Sequence, residues 1–161
     1  MTLETNKRNA VARKQDVINF IENTEFKGYQ AIDLPYGLKT PGMDRSKTAN
    51  VIFKRSIEGK SILDIGCKYG YFFHEAFARG ASLVKGIEIS DENSKIANKI
   101  IKLWGRDIDI INEDFSNVGS MQKFDIILLL NVLHHVNSPT AVMQKISEHT
   151  KELAIVEFPS V

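Results

Sequence analysis

From residue 61 onward the apolar positions fall in short runs, and most runs are followed by a stretch with a helical stripe. Ser61-Ile-Leu-Asp-Ile65, Leu83-Val-Lys-Gly-Ile-Glu-Ile89, residues 107–111, Phe124-Asp-Ile-Ile-Leu-Leu-Leu130 and residues 152–158 read as five strands. The run 124–130 is apolar on both faces, as a central parallel strand requires. A helix starting near Gly70 packs Phe73, Ala76 and Phe77. A second, capped by Asp91, carries the stripe Ile96, Ile100, Leu103 and Trp104, and a third covers residues 139–149. This alternation predicts an α/β fold with a doubly wound, mostly parallel sheet.

The part ahead of the sheet is patterned differently. Residues 9–22 carry a partial helical stripe of Val11, Val17, Ile18 and Ile21. Residues 28–43 hold two prolines and three glycines, a density that favours short extended pieces joined by turns. Asp44 is placed to cap a helix whose face is Ala49, Ile52, Phe53 and Ile57. The expected organisation is an N-terminal helical and extended lid over 1–60 and one compact unit over 61–161. The pattern stops after strand five, which leaves Leu153-Ala-Ile-Val-Glu157 as an apolar sheet edge.

Composition narrows the class without deciding it. The 161 residues are 43% hydrophobic and 25% charged, ordinary values for a globular domain. No apolar run approaches a membrane span, and Met1-Thr-Leu-Glu-Thr-Asn-Lys-Arg8 has no apolar signal core. The single cysteine, Cys67, excludes an internal disulfide and fits a reducing cytoplasm. Residues 1–68 carry 12 Lys and Arg against 8 Asp and Glu. That excess permits an anionic partner but is sparser than a dedicated nucleic-acid stripe.

The chemistry concentrates at two strand ends. Asp64 precedes the turn Gly66-Cys-Lys-Tyr-Gly70, and Glu88 stands at the tip of strand two, 22 residues after Gly66. A glycine turn after strand one, with an acid at the tip of strand two, is how an α/β sheet holds an adenosine-containing ligand: backbone approaches it closely and the acid grips the ribose hydroxyls. A dinucleotide turn would read G-x-G-x-x-G, whereas Lys68 stands here in place of a middle glycine. Glu88 also disfavours a 2′-phosphate, since like charges repel. Cys67 has no base near it in sequence to make it a nucleophile.

Asp64, Gly66 and Gly70 together resemble the D-x-G-x-G-x-G signature of class I S-adenosylmethionine methyltransferases, in which the middle position is the least strictly glycine. The resemblance covers residues 61–158. It implies that Asp64 faces the methionine amino group, that Gly66, Cys67, Tyr69 and Gly70 shape the loop beside the cofactor with Lys68 turned to solvent, and that Glu88, followed by Ile89, holds the ribose. It further implies that Asp114 reaches the adenine amino group while Phe115 packs on the ring. Asn131-Val-Leu-His-His-Val136 resembles the family's N-V-L-x-H segment, so Asn131 and Leu133 would line the pocket near the transferred methyl. His134 or His135 can then act as general base on a hydroxyl, amine or ring acceptor. No metal is expected, because two adjacent histidines lack a ligand spacing.

Plain structural roles stand beside each of these: a turn cap for Asp64, surface acids at Glu88 and Asp114, a packing role for His135. Family members usually continue with two more strands, so the expectation at the strand-five edge is a longer parent protein, a covering partner chain, or a homodimer. Residues 29–42 and Asp44-Arg-Ser-Lys47 are loosely similar to the segment ahead of the site in the family that modifies the wobble uridine of tRNA with carboxy-S-adenosylmethionine. Arg45 and Lys47 would there meet an anionic group. The acceptor is left open between a small molecule, a lipid or sugar precursor, a protein side chain and a tRNA base. The rival functions are a catalytically silent scaffold of the same fold and, further off, an NAD-dependent oxidoreductase.

Overall fold

The computed structural model describes residues 10–159. Helices α1 (Lys14–Glu22) and α2 (Ser46–Ile52) precede the sheet. They are followed by β1 (Ser61–Ile65), α3 (Tyr71–Ala78), β2 (Leu83–Ile87), α4 (Asp91–Trp104), β3 (Asp109–Ile111), β4 (Phe124–Leu130), α5 (Pro139–His149) and β5 (Thr150–Glu157). All strand pairs are parallel, in the order β3-β2-β1-β4-β5. The chain steps outward from β1 to β3, then returns to the other side of β1 with β4. A crevice therefore opens beyond the carboxyl ends of β1 and β4, the place where such sheets bind ligands.

Alternation along the strands divides the core in two. Ile62, Val84, Ile126 and Leu128 face one way, into a core shared with Val17, Phe73, Ala97 and Ile100. Leu63, Ile65, Ile87, Ile127 and Leu129 face the other way, against Val142 and Ile146 of α5. Helices thus cover both faces, and central strands buried on both sides explain why their sequences are apolar throughout. Ile32, Leu34 and Ala49 join the first core, so the N-terminal segment packs on the same unit as the sheet.

Several boundaries differ from the sequence expectation. The start expected at Asn9 lies outside the described residues. Ser90, not Asp91, caps α4: its hydroxyl accepts from the Asn93 amide at 3.3 Å, and Asp91 becomes the first helical residue, favoured there by the helix dipole. Arg45 holds the cap position of α2, while the Asp44 carboxylate accepts from the Ser46 amide at 2.8 Å and hydroxyl at 2.9 Å. Ile57 falls beyond α2 yet is buried. Glu88 lies one residue past β2, with its amide bonded to the Ile111 carbonyl. β5 pairs with β4 alone among the described residues, and Leu153 is 46% exposed.

Residues 28–45 form a strap. Gln30 pairs with Met43 and Asp33 with Lys39, and the Ala31 amide donates to the Met43 carbonyl at 2.9 Å. The Trp104 indole N–H ties the strap to α4 through the Asp33 carbonyl at 2.8 Å. Gly42, at φ 150°, lies so close to Gln30 that a Cβ would sit 2.4 Å from its carbonyl carbon. Gly42→Ala is therefore expected to cost about 2 kcal/mol or more, with backbone forced apart. Gly28→Ala should cost only about 1–2 kcal/mol, because φ is positive but nothing lies within 4 Å. Urea unfolding of the two variants checks this, and equal losses would mean that the strap is not clamped at Gly42.

Candidate functional site

Two cavities of about 870 and 510 Å³ share Gly66, Ile89, Val132 and His135 along their common border. The turn between β1 and α3 forms their floor. Gly66 has φ 71°, and a Cβ there would meet Val132 Cγ2 at 2.4 Å, so this position requires glycine. Lys68 also adopts a left-handed conformation, at φ 51°. A left-handed non-glycine costs about 1–2 kcal/mol, which accounts physically for a pattern that admits glycine there.

Glu88 offsets that cost. It is 5% exposed; Oε2 accepts from the Lys68 amide at 2.7 Å, and Oε1 from the Ser90 amide at 2.8 Å and the Asn93 side chain at 3.4 Å. One carboxylate thus fastens the turn after β1 to the turn after β2. Lys68 is not turned to bulk solvent as expected. Its ammonium lies 4.3 Å from the Tyr29 ring centroid and 5.4 Å from that of Tyr69, in a cation–π arrangement that binds strap to turn.

Asp64 is 2% exposed, faces the larger cavity, and its Oδ2 has no partner. Burial first, and then the nearby Glu88, raise its carboxyl to about 8, with the Phe73 amide opposing. Cys67 lines the same cavity, but burial pushes its thiol up, so it is not held as a nucleophilic thiolate.

Three expected site residues stand away from the cavity walls. Tyr69 is fully buried, edge-on to Phe26, with its hydroxyl accepting from the Lys27 amide at 3.2 Å. Gly70 caps α3 with the Phe73 ring directly against it. Leu133, in the 3₁₀ turn Leu133–His135, is half-buried against the α5-side core and lines neither cavity, while Val132 lines both.

The smaller cavity gathers Ile89, Asp114 and Phe115. Ile89 is 67% exposed, an unusual position for a large apolar side chain unless something packs on it. The Asp114 carboxylate accepts from the Ser116 amide at 2.8 Å. Lys145, which sequence reasoning did not single out, holds this loop: its ammonium lies 4.9 Å from the Phe115 ring centroid and donates to the carbonyls of Phe115, at 2.8 Å, and Val118.

At the far end of the larger cavity, Asn131 sits at φ 57° beyond β4. Its backbone amide meets the Glu157 carbonyl at 2.9 Å and its Nδ2 meets Glu157 Oε2 at 2.7 Å. Arg45 closes the group, 2.9 and 3.1 Å from the two Glu157 oxygens and 5.5 Å above the Phe72 ring. The anionic group that Arg45 was expected to meet is thus Glu157 of this chain, and exposed Lys47 is not on the wall. Sequence reasoning missed Glu157, although its place at a strand's carboxyl end was a usable signal. His134 and His135 are exposed at the same cavity, their ring centroids 3.8 Å apart, rather than packed beneath the loop.

Four buried side-chain atoms on this cavity lack any partner: Gln30 Oε1, Arg45 Nε, Asp64 Oδ2 and Asn131 Oδ1. Buried polar atoms are nearly always satisfied, so four orphans on one wall make this cavity the candidate polar ligand site. Among the described residues no cluster of His, Cys, Asp and Glu is arranged to hold a metal ion.

A family model described as a methyltransferase domain matches residues 43–160. The ubiquinone biosynthesis O-methyltransferase of Actinobacillus pleuropneumoniae serotype 5b is 31% identical over 109 residues, covering 64% of this chain and 46% of that protein. That of Nitrosomonas europaea is 29% identical over 104 residues, covering 63% and 44%. A solved S-adenosylmethionine-dependent methyltransferase from Clostridium acetobutylicum superposes with TM-score 0.66 at 18% identity, covering 73% of this chain and 52% of that one. The magnesium protoporphyrin IX methyltransferase of Synechocystis, solved with bound S-adenosylmethionine, gives 0.58 at 23%, covering 69% and 54%. These two structural likenesses concern the fold. The chain spans about half the length of the curated relatives it matches.

Asp64 makes stability depend on pH. In the folded chain its carboxyl stays protonated up to about 8, whereas the unfolded chain releases that proton near 4. Its contribution is therefore fully present below the unfolded value and is lost as pH rises through the window to about 8, by at most about 1.4 kcal/mol per pH unit. Asp64→Asn should flatten that slope and be the more stable protein at pH 8.5. Urea unfolding at pH 5, 7 and 8.5 reads it, and parallel pH profiles for the two proteins would refute the assignment.

Proposed function

The chain belongs to the methyltransferase domain family, and from that premise we propose that its paired cavities bind S-adenosylmethionine and present the methyl group to an acceptor beneath the strap. The observation that carries this reading is the unpartnered, buried Asp64 carboxyl beside a turn whose Gly66 leaves no room for a side chain. Bound S-adenosylmethionine supplies a methyl group already activated by its sulfonium. The chain's own work is then binding, alignment and exclusion of water, and good alignment alone can contribute about 7–11 kcal/mol.

Each residue has a part in this reading. Asp64 takes the ammonium, and the unpartnered Arg45 Nε suits the carboxylate. Glu88 takes the ribose hydroxyls: Oε2 keeps a lone pair beyond the Lys68 amide, and at Oε1 a hydroxyl would replace the long 3.4 Å contact from Asn93. The adenine lies between Ile89 and the Phe115 loop, with Asp114 at its amino edge. His134 and His135 stand where either ring can take a proton from the acceptor. The relatives are named for O-methylation, which favours a hydroxyl acceptor on a small molecule; a tRNA base is the wider alternative. Glu157 engages Nη2 of Arg45 while Nε stays unpartnered for one ligand carboxylate, and carboxy-S-adenosylmethionine would bring a second. The single, buried Cys67 agrees with a reducing cytoplasm, and no described helix is long and apolar enough to cross a membrane.

Calorimetric titration with S-adenosylmethionine, S-adenosylhomocysteine, carboxy-S-adenosylmethionine and NAD tests the reading. Binding of the first two is the expected result, and binding of none would end it. Below pH 8 the ammonium should drive a proton off Asp64, so titrations at pH 6.5 in two buffers of different ionisation enthalpy should show release of up to about one proton. Heats identical in both buffers would contradict that pairing. Glu88→Ala should weaken S-adenosylhomocysteine at least about tenfold, since hydrogen bonds to a charged group contribute about 1.5–3 kcal/mol each. An unchanged dissociation constant in a folded variant would remove Glu88 from the ribose.

A further inference from the structure

The strap brings one group to the cavity that the reaction scheme leaves unused. Gln30 is 6% exposed, its side-chain carbonyl Oε1 is buried without a partner, and it lines the larger cavity. Its backbone is fixed independently. The Thr40 hydroxyl donates to the Gln30 carbonyl at 3.2 Å while accepting from the Ile32 amide at 2.9 Å, and Gly42 packs against the same carbonyl carbon. The strap thus holds the residue in place without using Oε1. Gln30 also lies ahead of residue 43, where the family match begins, so the shared domain does not supply it.

The unpartnered atoms on the cavity have a composition that selects a ligand group. Asp64 Oδ2, Asn131 Oδ1 and Gln30 Oε1 are acceptors, and Arg45 Nε is a donor. An α-amino-acid end presents the complement: an ammonium with three N–H donors and a carboxylate. Glu88 and Glu157 already border the cavity, so two neutral carbonyls on the same wall as Asp64 suit an ammonium without adding a further negative charge.

Resting on the S-adenosylmethionine reading above, we infer that Gln30 is a cofactor-binding residue that accepts a hydrogen bond from the ammonium of the methionine moiety, so that the strap itself reads the amino-acid end of the ligand. S-Adenosylhomocysteine carries that end, and 5′-methylthioadenosine lacks it while keeping adenosine and sulfur.

The test is calorimetric titration of wild type, Gln30→Leu and Gln30→Met with both compounds, alongside thermal unfolding of the ligand-free proteins. The expected result is an approximately tenfold loss of S-adenosylhomocysteine affinity in both variants, unchanged 5′-methylthioadenosine affinity, and an unchanged melting temperature. Unchanged S-adenosylhomocysteine affinity overturns the inference and leaves the cofactor reading intact. Equal losses for both compounds overturn it too, by showing that Gln30 only shapes the strap. Failure of wild type to bind either compound removes the cofactor reading and the inference together.

Discussion

The site is organised around one carboxylate. Glu88 joins two turns that follow different strands, through the Lys68 amide on one side and the Ser90 amide on the other. The first turn contains three left-handed residues within five, one of them a lysine, and such a backbone persists only where its surroundings over-determine it. Buried charge-assisted bonds of this kind are strong enough to do so. The position of Gly66, the exposure of the Asp64 carboxyl to the cavity, and the tether of Lys68 to the strap all follow from that latch.

A second constraint is electrostatic. The cavity wall carries Asp64, Glu88 and Glu157 against Arg45 and Lys68. Arg45 is spent on Glu157, and Lys68 lies over Tyr29, with burial lowering its affinity for a proton. Asp64 resolves the crowding by remaining protonated when nothing cationic is near. The cavity is therefore close to neutral when empty and becomes more negative as a cation enters, so charge develops only where it is immediately compensated.

The sheet was legible because parallel strands buried on both faces leave continuous apolar runs. Asp64, Glu88 and Asp114 were legible because the carboxyl ends of strands are where ligands sit. What local pattern does not carry is the direction in which a turn residue points. Tyr69 and Leu133 were expected on the wall from their positions in a motif, yet turn geometry sends one into the core against Phe26 and the other toward α5. The strap was read as broken, extended chain, which is correct locally. Its closure depends on pairs such as Gln30 with Met43, and its docking on Lys68 with Tyr29, partners distant in sequence that no periodicity records. Ser90 was passed over for Asp91 because neighbouring residues compete for one cap.

Arg45 and Glu157 are 112 residues apart, and both belong to the wall of one cavity. The smaller cavity is lined by residues 65–142 alone, whereas the larger one needs the strap and the last residues of β5 together. The smaller cavity can thus assemble from one continuous stretch of chain, without the strap. The larger cavity exists only once segments 112 residues apart have docked, so whatever fills it also stabilises that long-range closure.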